Sequence, residues 1–196
     1  MSFNLTGKVI FFATGNFHKF KEARVVLAQH GLAAGMLRVK AVEIQSDNLA
    51  EIAATSAIDA FKRCNLPLIV EDAGLFVDAL KGFPGPYAAY VYKTVGNAGM
   101  LKLLENVKNR KANFRSAIVY CDDESGKTAC FAGEATGEIT TQERLKDFKS
   151  AFGFDPIFQP NGSKKTFAEM TIEEKNGFSH RAQAVHKFAE WYIKQQ

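Results

Sequence analysis

Four short stretches carry side chains that could work on a phosphorylated ligand. In the first, an apolar run breaks at Thr14-Gly15-Asn16, and Phe17, His18 and Lys19 open a helical pattern. A strand end meeting a helix N-terminus offers unpaired N–H groups, here beside a hydroxyl, an amide and an ammonium. The spacing fits neither G-x-x-x-x-G-K-[ST] nor G-x-G-x-x-G. Lys19 in the first helical turn opposes the helix dipole, a conflict that an anionic ligand would relieve. The plainer alternative is an Asn16 helix cap and a solvated lysine.

The second stretch is Glu71-Asp72, at the end of the apolar run LPLIVED and before Ala73-Gly74. Neighbours on a strand point to opposite faces, so one carboxylate is expected to face a cleft at the strand mouth. Asp72, last before an expected glycine turn, is the choice; the alternative is a turn or cap aspartate. Glu43 could add a second carboxylate for Mg²⁺, which takes one or two carboxylates with phosphate oxygens and water. By itself Glu43 also reads as a surface residue. The third stretch is Phe152-Gly153-Phe154-Asp155, whose rings could stack on a base, at about 1–3 kcal/mol per ring, or pack locally. The fourth places Lys175 shortly before Ser179, a good N-cap, with His180 and Arg181 next. Three donors gather at a helix start, where cations are misplaced unless they serve a ligand; His180 taken alone reads more readily as a surface histidine. His18, His30 and His186 lack zinc spacing, and there is neither a G-x-S-x-G elbow nor a Cys/His nucleophile pair.

The elements that must position these residues alternate in a βα manner at first. Residues 8–14 read as a buried strand, 17–30 as a helix stopped by Gly31, and 38–44 as a second strand. Residues 49–64 read as a helix and 66–72 as a strand, after which Pro84 and Pro86 deny regular structure to an aromatic stretch. A helix over 97–107 precedes a hairpin of 114–122 and 127–133, then a further strand over 134–139. Residues 151–162 read as a loop. Thr171 with Glu174 forms a capping box, and the helix from His180 carries Ala182, Val185, Ala189 and Tyr192 on one packing face. The fold class expected is α/β with a mixed sheet, parallel early and antiparallel in the middle.

With 196 residues, 46% hydrophobic and 23% charged, the chain suits one domain or two closely packed lobes. A net charge of +4 suits polyanionic ligands but is too weak and dispersed for duplex DNA. Three cysteines without C-x-x-C spacing, and no recognisable signal sequence, point to free thiols in the cytoplasm. A two-residue turn at Ser125-Gly126 would set Cys121 opposite Cys130, leaving a disulfide sterically open. No apolar stretch approaches the roughly 20 residues that cross a bilayer.

Taken in order and spacing, TGNFHK, EDAGL, GFPGPY, FGFDPIF, FAEMTIEEKN and SHRAQA resemble the inosine triphosphate pyrophosphatases. YAAYVYKTVG looks like their archaeal branch. The resemblance covers nearly the whole chain. It implies one domain over 1–196, two-lobed, with a long central mixed sheet flanked by helices and an active-site cleft between the lobes. It also implies a homodimer and Mg²⁺-dependent hydrolysis of ITP, dITP and XTP to monophosphate and pyrophosphate, which sanitises the nucleotide pool. No stable nucleic-acid partner or membrane attachment is implied. Carried over by motif, Thr14, Gly15, Asn16, Phe17, His18 and Lys19 would grip the triphosphate. Asp72 would be the general base, Glu43 and Asp72 would bind Mg²⁺, and Ala73 would touch substrate through its backbone. Phe152, Gly153, Phe154, Asp155, Lys175, His180 and Arg181 would enclose the base and part of the phosphate chain.

This chain departs from the pattern in three places. Ser56 stands where many relatives have lysine, Ala73 where serine often follows the aspartate, and Ala88-Ala89 where some relatives carry a lysine. Selectivity is expected from donors facing the 6-oxo group of inosine and xanthine, with the Phe154 loop excluding the 2-amino group of guanine. A different class of reading is a non-catalytic module for nucleotides or single-stranded nucleic acid, against which the intact Asp72 and Glu43 argue.

Overall fold

The computed structural model describes residues 9–123, 125–146 and 152–195; Lys8 and Ala151, the first residues of two expected segments, lie outside them. Strand β1 (Val9–Ala13) leads through the Thr14–Asn16 turn into α1 (Phe17–Gln29), which ends at Gly31 with φ +72°. Strand β2 (Ala33–Leu37) pairs parallel with β1. Helix α2 (Leu49–Cys64) spans the predicted residues, capped by the Asn48 side chain and closed by left-handed Asn65. Strand β3 (Leu68–Val77) follows, then two-residue β4 (Pro84–Gly85), α3 (Ala88–Thr94) and α4 (Gly96–Leu103). Long strands β5 (Lys111–Cys121) and β6 (Thr128–Ile139) lead to β7 (Phe158–Pro160), α5 (Ile172–Asn176) and α6 (His180–Lys194).

The sheet runs β2-β1-β3-β5-β6-β7, with β4 beside β3. It is parallel across β2, β1 and β3 and antiparallel thereafter, the mixed α/β sheet expected. Helices α1 and α6 cover one face over Phe12, Ile69, Ile118 and Tyr120. Helix α2 covers the other over Leu68, Val70, Val119 and Cys121. A third core, built on Leu75, Phe114, Ile139 and Phe158, fills the far end of β3 and β5 beneath α3 and α4.

Strand β3 joins these regions. It pairs with β1 at Leu68 and Ile69 and with β4 at Leu75 and Phe76, while β5 accompanies it from Leu68 to Val77. Glu71, Asp72 and Ala73 therefore ride past the end of β1 on an uninterrupted strand. The turn expected at Ala73-Gly74 does not form, because β3 continues through both residues. Gly74 instead lets a neighbouring strand approach, since a Cβ there would lie 2.5 Å from the Gly85 carbonyl oxygen.

Other expectations need correction. Residues 38–44 form no strand: β1 runs out, its last rung being the Thr14 N–H on the Leu37 carbonyl, and side chains of α2 take over the backbone groups beyond. Residues 88–94, expected to be irregular after the prolines, make α3, and the next helix ends at Leu103 rather than at 107. The strand expected to break at Gly133 continues as β6, because that glycine admits α6; a Cβ would sit 2.0 Å from the His180 carbonyl oxygen. Within 151–162, a 3₁₀ turn (Asp155–Ile157) and β7 replace a plain loop. Cys121 pairs with Thr128 and Cys130 with Val119, so the cysteines are two rungs out of step and all three are free thiols.

Candidate functional site

Strand alternation divides the two carboxylates. Glu71 shares the face of Ile69, toward α1 and α6, whereas Asp72 shares the face of Val70, toward α2. Both reach a cleft of about 610 Å³, since β3 has left β1 behind at this point. Around its wall stand Thr14, Gly15, Asn16, Lys19, Glu43, Asp72, Ala73, Phe152, Gly153, Phe154, Asp155, His180 and Arg181, brought together from five separate segments. Phe17, His18 and Lys175 do not line it. Phe17 is exposed, His18 lies flat on the Phe152 ring at 5.1 Å, and Lys175 is buried behind that ring.

At the N-terminus of α1, the Asn16 side chain accepts the N–H groups of His18 and Lys19, and Thr14 Oγ1 accepts that of Asn16. The helix cap is thus real, and the turn offers a ligand its remaining backbone donors together with Lys19. Lys19 Nζ sits 3.0 Å from Glu71 Oε2 and is one-fifth exposed.

Glu71 begins a buried chain of alternating charge. Arg181 Nε lies 2.9 Å from Glu71 Oε1, Ser116 Oγ donates to the same oxygen at 2.9 Å, and the other end of the guanidinium binds Glu22. Glu22 also holds Lys175 at 2.7 Å, and Lys175 holds Asp155 at 2.6 Å. Lys19, Arg181 and Lys175 thereby meet Glu71, Glu22 and Asp155, three of each sign. Burial disfavours the Glu71 charge, but Arg181 and Lys19 outweigh it and hold the carboxyl well below its ordinary range. In the same way burial works against Glu22, while Lys175 and Arg181 bring its pKa down to about 2. The expected donors Lys175 and Arg181 are therefore already engaged within the protein. His180 differs: burial and the adjacent Arg181 charge lower its pKa to about 3, so it is neutral, stacked on Phe114 at 4.9 Å, and its Nδ1 is buried without a partner.

Asp72 is the opposite of Glu71. Burial raises its pKa to about 6; Lys19 opposes the rise, and Glu71 and Glu43 reinforce it. Its Oδ2 is buried with no hydrogen-bond partner. Glu43 is exposed on the same cleft, and α2 sets its position through the preceding residue. Ser56 Oγ donates to the Val42 carbonyl at 2.9 Å, and the Val42 N–H donates to Asp59 Oδ2 at 2.9 Å. Ser56, at the position of a missing lysine, thus pins the segment bearing Glu43. No cluster of three or more His, Cys, Asp or Glu suited to a metal occurs among the described residues. A carboxylate pair with one orphaned oxygen nevertheless suits Mg²⁺, which takes its other ligands from phosphate and water.

Glu22 and Ser116 were not anticipated, and Glu71, weighed beside Asp72 and passed over for it, lines the cleft as well. A glutamate on the buried face of α1, among Phe20, Ala23, Val26 and Leu27, was the available signal for Glu22. For Glu71 it was adjacency to Asp72 on a strand otherwise buried on both faces.

A family model described as "Ham1 family" matches residues 10–191. A dITP/XTP pyrophosphatase of Methanopyrus kandleri is 48% identical over 93% of this chain and 95% of its own. That of Thermococcus kodakarensis is 49% identical over 92% and 95%. Among solved structures, a HAM1 protein from Coxiella burnetii superposes with a TM-score of 0.81 at 28% identity, covering 96% of this chain and all of the other. The Staphylococcus aureus Ham1 protein gives 0.79 at 27%, with the same coverage.

Proposed function

Because the chain belongs to the Ham1 family, we propose that it hydrolyses ITP, dITP and XTP to the nucleoside monophosphate and pyrophosphate. The observation that carries this reading is the Asp72 carboxylate, unpaired at its Oδ2 and raised to about pH 6, beside Lys19 in a cleft large enough for a nucleotide. A water oxygen bonds to the α-phosphorus, the bond from that phosphorus to the bridging oxygen breaks, and pyrophosphate leaves. Asp72 orients the water and accepts its proton. Lys19 and the first turn of α1 meet the developing negative charge. Glu43 and Asp72 would hold Mg²⁺, which when bound supplies charge neutralisation on the phosphate oxygens.

At the base end, Phe152, stacked on His18, and Phe154, packed into the third core, shape the cleft wall, and neutral His180 presents an N–H donor that does not depend on pH in the working range. A donor facing the 6-oxo group is left unpaired by adenine, whose amino group donates in the same place. Arg181, in the cleft wall, and Lys175, behind it, fix the shape of this surface through Glu71, Glu22 and Asp155. A homodimer acting in the cytoplasm completes the reading, supported by the family pattern and by three free thiols suited to a reducing compartment.

Pyrophosphate release by the purified protein from ITP, XTP, dITP, GTP and ATP, with and without Mg²⁺, tests the assignment. Fast, metal-dependent release from the first three is expected. Equal turnover of ITP and ATP overturns the selectivity argument, and nucleotide binding without release leaves only a binding module.

A further inference from the structure

A triphosphate brings about four negative charges into a cleft whose described cations are few. Lys19, Lys93 and Arg181 line it, against Glu43, Glu71, Asp72 and Asp155. Lys19 and Arg181 are both bound to Glu71, and Arg181 also to Glu22. Lys93 differs from both. Its side chain makes no hydrogen bond or ion pair with another described residue, and it is exposed at the cleft wall.

Helix α3 fixes where this ammonium stands. Val91 is buried in the third core, and Tyr92 meets the edge of Phe154 at 5.6 Å, which sets the rotation of the helix. Ala89 and Lys93 are four residues apart, hence neighbours on one helical face, and both line the cleft. In ITP, whose base is neutral at pH 7, the negative charge resides on the phosphates, so a free cation facing that ligand has one partner to find.

We infer that Lys93 is a substrate-binding residue that grips the polyphosphate of the nucleotide, supplying from the second turn of α3 a charge that neither Ser56 nor Ala89 provides. This rests on the nucleoside triphosphatase reading above. Lys93 binds the phosphates without touching the attacking water, so its loss weakens capture of the triphosphate more than it slows the chemical step. A monophosphate, with less charge to offer, depends on it less.

Kinetics with ITP, and competitive inhibition by IMP, on the wild type, Lys93→Ala and Lys93→Ala/Ala89→Lys test this. Lys93→Ala is expected to raise KM for ITP about tenfold or more with kcat within about threefold, leaving the IMP inhibition constant nearly unchanged. Returning a lysine at position 89, one turn earlier on the same face, is expected to recover most of the loss. An unchanged KM, an equal weakening of ITP and IMP, or no recovery in the double variant overturns the role. If the wild type releases no pyrophosphate, the enzymatic reading fails separately. Calorimetric ITP affinities of the same three proteins then decide on Lys93: a loss in Lys93→Ala restored by Ala89→Lys supports it, and equal affinities overturn it.

Discussion

Two adjacent carboxylates on β3 illustrate how strongly surroundings decide a residue's chemistry. Glu71 is held ionised by Arg181 and Lys19, whereas burial leaves Asp72 with a pKa near 6. Asp72→Asn is expected to cut turnover by about 10²-fold or more while ITP still binds, and near-normal turnover removes Asp72 from the base role. The same substitution tests the stability side. A carboxyl whose folded pKa lies above its unfolded value favours folding fully below about pH 4, and loses that contribution as pH rises through about 6. At pH 7 and without divalent cation, Asp72→Asn should therefore melt higher than the wild type, by an amount of order 1–3 kcal/mol; an equal or lower Tm contradicts the strained carboxylate. Asp72 was legible in the sequence because an acidic residue closing an apolar strand needs no distant partner to be noticed. Glu71, Glu22 and Arg181 were not legible as a unit, because 110 and 159 residues separate the members that touch.

At the scale of elements, the ion chain ties together side chains from five separate elements. Glu22 comes from α1, Glu71 from β3, Asp155 from a 3₁₀ turn, Lys175 from α5 and Arg181 from α6. Removing one partner of a buried pair leaves the others dry and uncompensated, so Glu22→Ala is expected to destabilise by about 3–5 kcal/mol. The sign with pH follows from the lowered pKa: Glu22 contributes fully above about 4.5, and its contribution fades as pH falls toward 2. Denaturant unfolding of wild type and variant should converge over that interval, and a gap that stays constant to pH 2 contradicts the pairing. Elements defined by local signals were readable, namely α2 between its asparagines, the Thr171–Glu174 capping box and the Ser179 cap of α6. Those set by neighbours were not. Residues 38–44 have strand composition but no strand to pair with, and Gly133 and Gly74 resemble breaks until α6 and β4 are seen passing over them.

Over the whole molecule, β3 carries the chemistry from the parallel half of the sheet to the antiparallel half, and the cleft opens where one set of neighbours gives way to the other. Its two ends are built differently. On the proposed reading, the base end is backed by Arg181 and Lys175 in their pairs with Glu71, Glu22 and Asp155, side chains that are almost wholly dry. Lys93 and Glu43, by contrast, stand in solvent. Dissolved ions screen charges beyond about 10 Å at 0.1 M, and they act on exposed groups far more than on sealed pairs. Ionic strength should thus separate the two ends in one titration. Between about 0.05 M and 0.5 M salt, KM for ITP is expected to climb while kcat and the preference for ITP over ATP hold steady. A preference that erodes together with KM would mean that the inner chain is open to solvent ions. If it holds, discrimination between bases is insulated from the ionic conditions that govern how fast a triphosphate is caught.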